Sequence, residues 1–290
     1  MRAADLGPNG LLGIGALLGL AGGLVGVRLA DRLPARYDIE LIVGGRARTR
    51  RNVALVVTAV AAGGWLGHLV AMAADASIER AAFYFLMNLT LCVAILSAAA
   101  VDLEHMVLPN ELTLGGALLA LATSPWRGVG LLGALIGAGV GLGLMYLPFV
   151  LYKRLRGHSG MGLGDAKLAL LAGAWLGPEG AIFVVFAGAV QSALCALSMR
   201  ALGLSFAVPA SVQAELQVLK AKAAAGDADA KSMLADDPMA ADVGEGGPGR
   251  AGEVLTMRLP MGPFLVLACL EFLFARRQLL ELFNRYIAPS

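Results

Sequence analysis

Apolar stretches of about 17–23 residues, separated by short polar turns, occupy most of the chain, and that is the length a helix needs to cross a hydrocarbon core. Read as helices, they predict roughly eight spans, near residues 10–29, 53–74, 81–101, 112–123, 129–151, 167–177, 180–202 and 260–282. The fourth and sixth are short, which suits helices packed inside a bundle. The first, Gly10 to Val27, is too long for a signal-peptide core, lacks a small-residue cleavage site and ends in Arg28 and Arg32, so it reads as a retained span. Gly133, Gly137 and Gly141 recur on one face of the fifth span, where small residues let helix backbones approach closely. The pattern breaks only over residues 205–257. There, 210–224 has helical character, and the acidic, Gly-rich stretch after it reads as a mobile, solvated linker. The chain therefore divides into spans over 1–204, a polar insert over 205–257, and a last span with its tail over 258–290.

Composition agrees with this reading. Hydrophobic residues make up 58% and charged residues only 15%, against about 25% charged in a soluble domain. The expected fold is all-α, a polytopic transmembrane helical bundle. A net charge of +2 gives no sign of a nucleic-acid partner; the neighbour implied is membrane lipid. Arg28, Arg32, Arg36, Arg46, Arg48, Arg50 and Arg51 lie between the first two spans, which assigns that loop to the cytoplasm. Alternation then puts 102–111 and 152–166 on the same side, the second with Lys153, Arg154 and Arg156. Arg276, Arg277 and Arg285 fall outside and fit the rule poorly. Cys92, Cys195 and Cys269 lie singly in apolar runs, with no spacing that suggests a metal site or a disulfide framework.

Two aspartates carry the chemistry. Asp102 ends the third span, and Asp165 closes Gly160-Met161-Gly162-Leu163-Gly164-Asp165 before the sixth. An acid at the edge of a bilayer marks a functional site by default. Two that come together can share a proton, one acting as base and the other as acid. Gly162 and Gly164 offer a surface without side chains where a substrate backbone can approach. Lys167 either stays beside Asp165 or snorkels at the helix start. Glu104 and His105 read as a solvated loop face, His68 as a helix–helix contact, and Glu271 has no assigned role. A transporter that uses membrane carboxylates for proton or cation coupling is the alternative. It calls for acids near mid-span and inverted repeats, and neither is evident in the sequence.

The run Gly160 to Leu168, followed by Gly173-Ala174-Trp175-Leu176-Gly177, resembles the second aspartate motif of the type IV prepilin peptidases, bacterial GxGD aspartic membrane proteases. Asp102 with Pro109-Asn110-Glu111-Leu112-Thr113 resembles the first. Arg32-Leu33-Pro34 resembles the family's "RLP", and Pro260-Met261-Gly262-Pro263-Phe264-Leu265 the opening of its last helix. The resemblance implies catalytic Asp102 and Asp165, an active-site turn of Gly162, Gly164 and Lys167, and supporting positions Pro109, Pro260, Gly262 and Pro263. It also implies the reaction: removal of basic leaders from prepilins or type II secretion pseudopilins at the cytoplasmic face of the bacterial inner membrane. Methylation of the new N-terminus with S-adenosylmethionine would be a second activity. Residues 28–52 lack the family's paired CxxC motifs, so no zinc is expected, and proteolysis itself calls for no cofactor.

Overall fold

The computed structural model describes residues 7–37, 45–72, 77–156, 162–204, 210–236 and 260–286. Among these, the regular elements are helices: α1 (Pro8–Arg32), a short 3-10 turn (Pro34–Tyr37), α2 (Gly45–Met72), α3 (Ile78–His105), α4 (Asn110–Thr123), α5 (Gly130–Arg156), α6 (Leu163–Ala201), α7 (Ala210–Ala224), α8 (Ala228–Asp236) and α9 (Gly262–Tyr286). Leu17, Val57, Leu118, Leu132, Leu147 and Phe186 all face outward. Apolar side chains on the outside of an all-helical bundle fit a hydrocarbon solvent, in which helices satisfy their own backbone polar groups. The chain is a multi-pass membrane protein.

Among the described residues, five helices, α1, α2, α3, α5 and α6, are long and apolar enough to cross a membrane. The expected count of eight is not reached on these criteria. One reason is α4, which has only 14 residues. Another is that the two expected spans 167–177 and 180–202 form α6, interrupted at Gly177 (φ 84°, ψ −178°). That conformation is open essentially to glycine alone, and Pro178 after it has no N–H to continue the ladder. α6 therefore has two limbs.

Small residues set the packing. α1 and α2 lie antiparallel, with Gly15 against Gly63 and Gly19 against Ala59. Gly137 and Gly141 of α5 press on Gly173 and Ala169 of the first limb of α6, whereas Gly133 meets only Val129 beside it. The second limb turns back: Gly188 sits on Leu265, near the start of α9, and Phe183 touches Phe272 further along. α3 runs through the centre, its membrane segment the most buried of the five.

α4 and the first limb of α6 end at the face opposite the aspartates, where Arg127 holds them. It donates to the carbonyls of Ala120 at 2.5 Å, Trp175 at 2.7 Å and Ala174 at 3.3 Å, and its guanidinium lies 4.5 Å from the centre of the Trp175 ring. The last carbonyls of a helix have no partner of their own, and a cation at that end also suits the helix dipole. Burial lowers the Arg127 pKa to about 10, still well above neutrality. Arg127→Met leaves three carbonyls without this donor. The expected cost is about 2–3 kcal/mol, read as a lower melting temperature in detergent; an unchanged value would rule out the staple.

Some sequence boundaries move. The expected loop 28–52 is largely helical, because α1 reaches Arg32 and α2 begins at Gly45. Residues 210–224 are helical as the pattern indicates, and 228–236, expected in the linker, form α8, whose first-turn N–H groups at Asp229 and Ala230 donate to the Asp227 carboxylate. Residues 237–259 lie outside those described. His68 packs on Trp65 of its own helix, ring centres 5.6 Å apart.

Candidate active site

Both aspartates are helical, not on turns, because each helix runs further than its apolar stretch. α3 continues through Asp102 to His105 and stops where Met106 adopts a left-handed conformation (φ 54°), its N–H bonded to the Asp102 carbonyl at 2.8 Å. Asp165 occupies the first turn of α6, after an extended Gly162. The N-terminal end of a helix favours a negative side chain.

Three contacts bring the segments together. Leu108, on the turn after α3, packs against Gly164; a Cβ there would lie 3.1 Å from the Leu108 side chain. Gly164 thus serves the packing of the two turns, whereas Gly162 is exposed and keeps an open backbone. Pro109, fully buried, sits at the start of α4 and fixes its entry. From the other side comes α9. Pro260 and Gly262 are buried, and Pro263 occupies the first turn, where a missing N–H costs nothing. The Gly262 backbone N–H lies close to the Asp102 carboxyl.

Asp102 is 6% exposed and interacts electrostatically with Asp165. Its buried Oδ2 accepts no full hydrogen bond from the described residues. A buried carboxylate oxygen in that state points to a water or substrate group as its partner. Neighbouring carboxylates on the rim of a membrane bundle can hold one proton between them, activate a water and protonate a leaving group.

The remaining candidates fall elsewhere. Lys167 donates to Asn110 Oδ1 at 2.8 Å, so it joins α6 to α4 and does not pair with Asp165. Glu104 and His105 are not a solvated face: they end α3, His105 is 3% exposed, and Glu104 accepts from Arg51 at 2.7 Å. Glu271 pairs with Gln191 at 2.7 Å on the second limb of α6. Tyr37, Arg51 and Asn110, which sequence reasoning did not single out, lie around the aspartate-bearing helix ends. No periodicity marks them, since Arg51 is one of a run of arginines and only the fold shows which of them turns inward.

The fold and site define a polytopic helical membrane protein with an aspartate pair at one end of its bundle. Residues 89–197, which include both aspartates, match the model of the type IV leader peptidase family. Relatives include prepilin leader peptidase/N-methyltransferases of Burkholderia pseudomallei, 39% identical over 108 residues (37% of this chain, 35% of that protein), and Neisseria gonorrhoeae, 35% identical over 114 residues (39% of this chain, 40% of that protein). That of Xanthomonas campestris is 32% identical over 111 residues, 34% of this chain and 35% of that protein. The chain thus spans little more than a third of the length of the curated relatives it matches. No solved structure matches.

Proposed function

We propose that the protein is an aspartic endopeptidase that removes the leader from prepilins or pseudopilins at the cytoplasmic face of a bacterial inner membrane. The observation that carries this reading is the placement of Asp102 and Asp165 on neighbouring helix ends within the segment that matches the leader peptidase family. One carboxylate removes a proton from water, and the water oxygen adds to the scissile carbonyl. The protonated partner hydrogen-bonds the tetrahedral oxygen, then gives its proton to the departing amine as the C–N bond breaks. Acid and base both come from the protein, so cleavage calls for no metal.

The charge distribution supports the orientation. Arg28, Arg32, Arg46, Arg48, Arg50, Lys153 and Arg154 lie at the aspartate end. At the other end stand Arg80, Arg127 and Arg276, the last 3.9 Å from Glu179. Positive residues concentrate on the cytoplasmic side, and a cytosolic leader joined to an apolar helix would present its junction there. S-adenosylmethionine, which the family resemblance makes possible, is a charged sulfonium amino acid. One cavity, about 210 Å³, is lined by apolar residues such as Leu11, Ile14, Val70 and Phe85 at the end away from the aspartates. It does not suit such a molecule, and no step is derived through one.

Purified protein incubated with a prepilin, with mass analysis of the product N-terminus, tests the reaction. The expected product starts at the residue after the leader, and forms equally with chelator present; an intact precursor, or loss of cleavage on chelation, counts against the reading. On a background without native cysteines, Arg46→Cys should react only with a reagent that enters the cytoplasm, and Trp126→Cys from outside. The reverse pattern would overturn the orientation.

A further inference from the structure

The α1–α2 hairpin lies outside the family-matched segment 89–197, and its aspartate-side end is nevertheless tied to both aspartate-bearing helix ends. Arg51, in the first part of α2, has its side chain 8% exposed. One guanidinium nitrogen donates to Glu104, two residues beyond Asp102, at 2.7 Å, while the other donates to Asp31 at the end of α1. Its Nε also donates to Asn52 Oδ1 at 3.0 Å, which fixes the plane of the fork. A planar guanidinium with its donors spoken for holds three helix ends in one geometry.

The second tie is Tyr37, last residue of the turn after α1. Its hydroxyl accepts the N–H of Asn110, first residue of α4, at 2.8 Å, and donates to Glu111 at 2.9 Å. Asn110 passes the constraint on, since its Oδ1 accepts a hydrogen bond from Lys167 Nζ at 2.8 Å, and Lys167 lies two residues beyond Asp165. Arg36 reaches Glu111 at 3.2 Å, but that arginine is largely exposed and such pairs contribute little. Arg51 therefore braces the helix of Asp102, and Tyr37 braces, through Asn110 and Lys167, the helix of Asp165.

We propose that Arg51 and Tyr37 are positioning residues, through which the α1–α2 hairpin holds the two aspartates in register. A pair of carboxylates that shares a proton works only over a narrow range of separations, and a misplacement of about 1 Å can cost about 10²-fold in rate. The inference rests on the aspartate pair being the reacting centre.

The test reads geometry and turnover separately. Spin labels at Leu103→Cys and Leu163→Cys, both exposed positions beside the aspartates, on a background without native cysteines, report the separation of the two helix ends. Arg51→Met and Tyr37→Phe should each broaden that distribution, and Arg51→Lys should restore much of it. In cleavage assays kcat should fall about 10²-fold for Arg51→Met and about 10-fold for Tyr37→Phe, with KM little changed. Gly67→Ala is the control, because its Cβ would press on Leu11 at the far end of the same hairpin without touching either tie. An unchanged distance distribution in both variants overturns the inference, as does equal broadening in Gly67→Ala. A wild-type protein that cleaves no prepilin speaks against the function, whereas the distances still decide the positioning.

Discussion

Asp102→Asn and Asp165→Asn should each abolish leader removal, by at least about 10³-fold, while the protein still inserts and accumulates. Asparagine has nearly the size of aspartate, so the packing around Asp102 at the junction of α3, α4, α6 and α9 is kept. What disappears is the ability to exchange a proton. With one amide in place, the remaining carboxyl can serve as acid or as base but cannot pass a proton to its neighbour. The two losses should be of similar size and the double variant little worse than either, because residues that act as a unit are not additive. Prepilin cleavage by the purified variants, at matched amounts of folded protein, measures this. Substantial turnover by either single variant would sink the pair as the reacting centre.

The sequence made the pair legible because the bilayer makes carboxylates conspicuous: in apolar stretches each acid stands out, and Asp102 and Asp165 sit at stretch ends on one predicted side. Helix positions followed from the same apolar runs. Helix ends did not, because polar residues such as Glu104, Arg48 and Arg51 continue a helix once tertiary partners satisfy them. Residues 45–52 and 102–105 are therefore helical where the apolar pattern alone predicts loop. Lys167 shows another limit. Its position along the chain leaves open whether it stays beside Asp165 or snorkels, whereas the parallel packing of α4 beside α6 offers it Asn110. The break at Gly177–Pro178 was visible as an interruption, but its backbone conformation was not.

The second large effect belongs to a residue with no ionisable group. Gly262 opens α9, and a Cβ there would overlap the Asp102 Oδ2 and stand 3.0 Å from its Cγ. Gly262→Ala must therefore move either the start of α9 or the carboxyl itself. α9 is poorly placed to yield, since Leu265 one turn on is fully buried and held against Gly188. Asp102 moves instead, and a displacement of about 1 Å predicts a fall in kcat of about 10²-fold. Gly164→Ala offers the contrast. Its Cβ would stand 3.1 Å from the Leu108 Cβ and Cδ1, a tight contact that a shift of a few tenths of an ångström relieves. That variant should lose far less activity, whereas Gly164→Val, with two more heavy atoms, should approach the Gly262→Ala loss. Cleavage rates for the three, beside their melting temperatures, decide the matter. If Gly262→Ala turns over at the rate of Gly164→Ala, the close approach of α9 to Asp102 does not set the catalytic geometry.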